Sequence, residues 1–171
     1  MTQSSIPPNL NLARKWRVFR SMDRADRIIL MEALMLPVAI SWGFRLLGVS
    51  RTQAWLRRCA SVRVAGDPFR DNPRRGIVSA LRAQRLVKRK VGIGGTCLVR
   101  SLTLWTMLLR RGVETHLRVG IRKTAGKFEA HAWMELDGEP VNESIEVVRT
   151  YDAYPKAVSF DGWRGWLGNI H

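Results

Sequence analysis

The chain has 171 residues, of which 46% are hydrophobic and 25% charged, a balance that indicates one domain with a substantial core and excludes a disordered protein. Its two cysteines, Cys59 and Cys97, lie far apart, which excludes a disulfide framework and suits a reducing compartment. No secretory signal is visible, and the longest uncharged run of the N-terminal half, Ala33 to Phe44, is too short to span a membrane. We therefore expect a cytoplasmic protein with at most peripheral membrane contact.

The net charge of +15 is concentrated in the first half of the chain. Residues 1–91 contain 19 Lys and Arg against 5 Asp and Glu, whereas residues 92–171 contain 10 against 9. Such an excess favours a surface that binds an acidic peptide, an acidic protein, a nucleic acid or a membrane, and charge alone does not choose among them. No helix-turn-helix, zinc or RNA-binding signature accompanies the arginines, which weakens the hypothesis of a non-enzymatic nucleic-acid-binding protein.

The chain divides into three predicted regions. Residues 1–10 are expected to be a disordered tail, residues 11–72 a basic helical region and residues 73–171 a core domain. The boundary rests on Asn72 and Pro73, which suit the cap and the first residue of a helix.

One long helix is predicted within the basic region. It starts after a cap at Ser21 or Asp23, and Gly48 should end it. Pro37 lies inside the helical pattern, where it should kink or break the helix because proline lacks a backbone N–H.

A second apolar helix carries Cys97 in its first turn, after a glycine-rich approach over residues 92–95. Most cysteines in apolar helices are small core residues. However, a helix start favours a thiolate, and glycines let backbone N–H groups approach a substrate and stabilise an oxyanion. These features favour Cys97 as a nucleophile, whereas Cys59 lacks them and is interpreted as structural.

After this helix the apolar residues alternate, which is the period of a strand. Strands are predicted over residues 113–121, 128–136 and 139–145, and Asp137-Gly138 is a strong hairpin signal between the last two. Helices followed by an antiparallel sheet make the predicted fold class α+β.

His131 lies in the middle of the second strand, and its face of the strand also carries Trp133. An imidazole beside an indole on a central strand is unusual for a plain surface and natural for a site. As a general base, His131 would have to reach the thiol of Cys97. His116 is expected to be exposed, and His171 is terminal.

A third residue should orient the imidazole, and the hairpin offers Asn142 and Glu143. A two-residue loop places Asn142 opposite Trp133, on the face of His131. A three-residue loop places Glu143 there instead. Spacing alone leaves this choice open.

Several motifs together resemble the lasso peptide biosynthesis B2 proteins, which are leader peptidases related to the microcin J25 maturation protease within the transglutaminase-like (papain-like) superfamily. The match is close over about residues 90–145 and looser around Leu30-Met-Glu-Ala33. The motifs are Cys97-Leu-Val-Arg-Ser-Leu, Leu108-Leu-Arg-Arg-Gly-Val113, Leu117-Arg-Val-Gly120, His131-Ala-Trp-Met-Glu-Leu-Asp-Gly138 and Val141-Asn-Glu143.

The resemblance implies a helical N-terminal region followed by a transglutaminase-like core, with Cys97 as nucleophile and His131 as base. The third residue of the family falls twelve positions after the histidine and is usually Asp; here it is Glu143, with Asn142 as the alternative. The substrate would be a ribosomally made precursor peptide, cut between leader and core.

The resemblance also implies partners. These would be a small leader-recognition protein and an asparagine-synthetase-like cyclase that uses ATP, while the chain itself would bind no cofactor or metal. No β-rich recognition domain precedes the helices, so we expect the split form that needs a recognition partner. A transglutaminase-type acyl transferase remains the alternative enzyme, because it would use the same thioester with an amine acceptor.

Overall fold

The computed structural model describes residues 17, 19–62, 69 and 72–153. The predicted tail of residues 1–10 and His171 lie outside this range. The elements are α1 (Arg24–Leu46), α2 (Gly48–Ser61), α3 (Pro73–Val91), α4 (Cys97–Leu109), β1 (His116–Thr124), β2 (Lys127–Leu136), β3 (Glu139–Pro140), α5 (Ile145–Val148) and β4 (Asp152–Ala153). Helices come first and a sheet follows, which confirms the α+β class.

The helix starts follow the capping signals of the sequence. The Asp23 carboxylate accepts a hydrogen bond from the Arg24 N–H at the start of α1. The Asn72 side chain accepts one from the Arg75 N–H at 3.1 Å, and Pro73 is the first residue of α3. Both side chains satisfy N–H groups that the first helical turn leaves unpaired. The predicted start at Asn72 and Pro73 is therefore confirmed.

Of the two predicted effects of Pro37, a kink or a break, the break is excluded because α1 continues through the proline. One helix runs through the buried Pro37 and ends at Leu46, and Gly48 begins α2. A proline inside a helix costs about 3 kcal/mol. The fully buried Ile29 and Ile40, which pack into the core on either side of Pro37, offset that cost.

By length and composition, α1 could cross a membrane, since it has 23 residues and a mean hydropathy of 1.5 over its most apolar window. The core helix of a soluble protein passes the same test. One side of α1 packs into the protein core, and the other exposes apolar side chains that include Met35, Trp42 and Leu46.

The sheet has the strand order β3-β2-β1-β4, and all neighbouring strands are antiparallel. One face packs against α4 through Leu117, Val119, Ala132 and Met134, which belong to a core that also includes residues of α1 and α3. The other face carries His131 and Trp133. The predicted domain boundary at residue 72 stays a prediction.

The hairpin between β2 and β3 has a two-residue turn, which decides between the two loop lengths that the spacing left open. Asp137 and Gly138 both have positive φ, 52° and 85°, as a type I′ turn requires. The predicted third strand over residues 139–145 is wrong, however, because β3 ends at Pro140. Past Pro140 the Val141 N–H still donates to the Met134 carbonyl of β2, and the chain then leaves the strand direction in a bend over residues 141–143.

Candidate active site

Cys97 is the first residue of α4 and is half-buried. The Thr96 side chain caps the helix by accepting a hydrogen bond from the Val99 N–H at 3.4 Å. Gly95 has φ +60°, and a Cβ added there would lie 2.9 Å from the Val99 side chain, so only glycine fits. The backbone that leads to the thiol is therefore fixed by local packing.

His131 and Glu143 are brought together beside the bend that follows β3. The Nε2 atom of His131 lies 3.0 Å from Oε2 of Glu143, and both side chains are partly buried. An ionised carboxylate only accepts hydrogen bonds, so Nε2 donates here. In the neutral ring Nδ1 then keeps its lone pair, which is the atom that could accept a proton from a thiol.

The hydrogen bonds of Asn142 go to Met134 and Ser101 rather than to the imidazole. Its side chain accepts a hydrogen bond from β2 at a position beyond the end of β3. The Val141 N–H donates to the Met134 carbonyl at 2.8 Å, as expected for a two-residue loop. The Met134 N–H, in turn, donates to Oδ1 of Asn142 at 2.8 Å. Simple alternation would have placed Asn142 beside His131, but the bend after Pro140 turns it away and brings Glu143 to the ring.

Ser101, one turn after Cys97, joins the cysteine helix to the histidine strand. Its hydroxyl donates to the Ala132 carbonyl at 3.0 Å and accepts from Nδ2 of Asn142 at 3.1 Å. The first turns of α4 are thus held against the residue next to His131 and against the bend that carries Glu143. This network connects the three elements that bear the candidate catalytic residues.

Two aromatic rings hold the imidazole of His131 in place. The Tyr151 ring is stacked at 5.1 Å between centroids, and the Trp133 ring at 6.2 Å. Gly120, which pairs with His131 across the sheet, makes this arrangement possible. A Cβ at Gly120 would lie 2.8 Å from Cβ of Tyr151 and 3.0 Å from the Trp133 ring. A glycine inside a strand signals such a close approach.

Charged residues surround this aromatic group. The Arg122 guanidinium lies 4.6 Å from the centroid of Tyr151 and is paired with Glu129 at 2.7 Å. The Glu129 hydrogen bond is the main reason why the pKa of Arg122 is raised. The Trp133 indole N–H donates to Glu135 at 2.8 Å. Sequence reasoning missed Ser101, Gly120, Arg122 and Tyr151, and only the glycine carried a local signal.

The other candidates lie elsewhere. His116 is exposed, as predicted. Burial raises the pKa of the Cys59 thiol, and nearby Arg110 offsets part of this effect. Among the residues that the structure describes, no group of three or more His, Cys, Asp or Glu side chains could hold a metal ion.

We expect Glu143→Gln to slow the alkylation of Cys97 by iodoacetamide by about 10- to 100-fold. Glutamine can keep the hydrogen bond to Nε2 but not the charge that favours a protonated imidazole beside a thiolate. The rate is measured by mass spectrometry of proteolytic peptides after quenching, which counts the adducts on Cys97 and on the reference Cys59 separately. Glu143→Asp keeps the charge on a shorter side chain and should retain part of the rate; an unchanged rate in Glu143→Gln would contradict the role.

We expect Asn142→Ala to lower the free energy of unfolding by about 1–3 kcal/mol, because the Met134 N–H and the Ser101 hydroxyl each lose a partner. Asn142→Asp is the matched variant. It keeps an acceptor for Met134 but has no donor for Ser101, so its loss should be smaller. Urea unfolding measures both values, and equal losses would argue against the network as described.

A family model of the transglutaminase-like superfamily matches residues 38–155 of the chain. Searches of curated proteins and of solved structures gave no significant match. The matched region includes Cys97, His131 and Glu143, and it covers more than half of the chain. The superfamily typically comprises cysteine-dependent enzymes, among them peptidases and acyltransferases. The chain therefore belongs to the transglutaminase-like superfamily.

Proposed function

We propose that the protein is a cysteine peptidase that removes the leader from a ribosomally made precursor peptide during lasso peptide maturation. The observation that carries the proposal is the 3.0 Å contact between His131 and Glu143, tied through Ser101 to the helix that begins at Cys97. The family match and the motifs shared with the B2 proteins support it. In this proposal the chain works with a small leader-recognition protein and an ATP-using cyclase and binds no cofactor itself.

In the proposed reaction, Cys97 is the nucleophile, His131 is the general base and acid, and Glu143 orients the imidazole. Nδ1 of His131 takes the proton of the Cys97 thiol, and the sulfur attacks the scissile carbonyl. Backbone N–H groups at the start of α4 stabilise the oxyanion. The imidazolium then protonates the leaving amine, a thioester remains on Cys97, and water hydrolyses it with His131 as base. Glu143 keeps the ring oriented and stabilises its protonated form.

The test combines the protein, a candidate precursor peptide and its recognition partner, and identifies the products by mass spectrometry. A peptidase yields leader and core fragments whose masses sum to that of the precursor plus one water. A primary amine is added in a parallel reaction. Products that carry the amine instead of water would favour the acyl transferase, and an intact precursor in both reactions would contradict both enzymes.

A further inference from the structure

Every charged residue of α3, the helix that precedes the glycine-rich approach to Cys97, is positive. Between Pro73 and Val91 the sequence contains no Asp or Glu. All of its cations are exposed. They are Arg74, Arg75, Arg82, Arg85, Lys88, Arg89 and Lys90.

Helical geometry gathers four of these cations on one face. Arg75, Arg82, Arg85 and Arg89 are spaced so that they project outward together, opposite the buried side that includes Ala80, Ala83 and Val87. We call Arg75, Arg82, Arg85 and Arg89 the α3 basic face. It extends over about 21 Å of helix, which an extended peptide would follow with about six or seven residues.

In the described part of the chain, no carboxylate lies within ion-pair distance of these side chains. The ion pairs there use Arg110, Arg111, Arg118 and Arg122 instead. Asp26 and Arg82 line the same pocket, of about 200 Å³, without forming an ion pair. The basic face thus presents charge to an external ligand rather than neutralising it internally.

The end of α3 adjoins the start of the cysteine helix. Nε2 of Gln84 donates to the Arg100 carbonyl at 3.0 Å, one turn from Cys97. A Cβ at Gly94 would lie 3.5 Å from the Lys88 side chain and 3.8 Å from that of Arg100. Cations therefore continue from the α3 basic face to the glycines before Cys97. An extended peptide could therefore follow this face and reach the start of α4.

We propose that the α3 basic face binds carboxylates of the peptide substrate and leads the scissile bond to Cys97. The identity of the ligand as substrate rests on the proposed function. The dimensions place the recognised Asp and Glu residues within about ten residues of the cleaved bond. A peptide is favoured over single-stranded nucleic acid because α3 carries no aromatic side chain on which bases could stack.

Binding is tested on Cys97→Ala protein with two labelled synthetic peptides, one of alternating Glu and Gly and one of alternating Gln and Gly, by fluorescence anisotropy. In this background we replace Arg82, Arg85 and Arg89 with Gln. The control replaces the exposed Arg45, Arg51 and Arg58 with Gln, which removes the same charge from α1 and α2. The end of α2 lies near the other end of α4, because the carbonyl of Val62, the residue after α2, accepts a hydrogen bond from Arg110.

We expect the Glu peptide to bind, with an affinity reduced about tenfold or more by the α3 substitutions and less than about twofold by the control. The Gln peptide should not bind. No binding of the Glu peptide, or equal losses in both variants, would overturn the inference. Tighter binding of single-stranded RNA or of phosphatidylglycerol vesicles, lost with the same three arginines, would also overturn it.

A cleavage assay distinguishes a failure of this inference from a failure of the proposed function. If the α3 variant with Cys97 restored cleaves a precursor as fast as wild type, the inference fails and the peptidase stands. If the Glu peptide binds as expected but no precursor is cleaved, the binding surface stands and the peptidase fails.

Discussion

Cys97→Ala should abolish precursor cleavage, with a loss of at least about 10³-fold in kcat/KM. Alanine removes the only sulfur at the start of α4 and leaves the helix cap on Thr96 in place. No other group at this position can form the thioester on which the proposed reaction depends. Initial rates of fragment formation, followed by mass spectrometry, measure the effect.

Cys59→Ala is the matched control, because Cys59 is the other free cysteine of the described chain. Burial raises the pKa of its thiol, so it stays protonated at neutral pH, and we expect cleavage to be unchanged. A circular dichroism melting curve shows that each variant is folded. Residual cleavage by folded Cys97→Ala at a rate near wild type would exclude Cys97 as the nucleophile.

The parts of the fold that local chemistry determines could be predicted from the sequence. Asp137 and Gly138 tolerate positive φ, so they form the two-residue turn, and Asn72 with Pro73 starts α3. The candidate residues Cys97 and His131 were found in the same way, from a helix start and a strand pattern. Each of these signals lies within a few neighbouring positions.

Predictions that needed tertiary information were incomplete. The pattern of alternation assumed that β3 continues past residue 140, whereas β3 ends there and the following bend exchanges the places of Asn142 and Glu143. The bend over residues 141–143 thus decides which side chain meets the imidazole. The sequence predicted a kink or a break at Pro37 and could not decide that the helix continues, because the core against which α1 packs lies in other elements.

The role of Glu32 could not be predicted from the sequence either, because its partners lie 78 and 79 positions away. Oε1 of Glu32 lies 2.6 Å from Nη1 of Arg110, and Oε2 lies 2.7 Å from Nη1 of Arg111. The side chains of Glu32 and Arg111 are only 8% and 2% exposed. These contacts join α1 to the residues that follow the cysteine helix. The two arginines neutralise a carboxylate that is buried in α1.

Glu32→Ala should therefore lower the free energy of unfolding by about 3–5 kcal/mol, because it removes the buried carboxylate that bonds to both Arg110 and Arg111. For a domain of this size such a loss is a large part of the total stability. The double variant Glu32→Leu/Arg111→Leu removes both buried charges and should lose less than Glu32→Ala alone. Urea unfolding measures both values. If the double variant is the less stable protein, apolar packing by the stem of Arg111, rather than charge pairing, holds α1 to the end of α4.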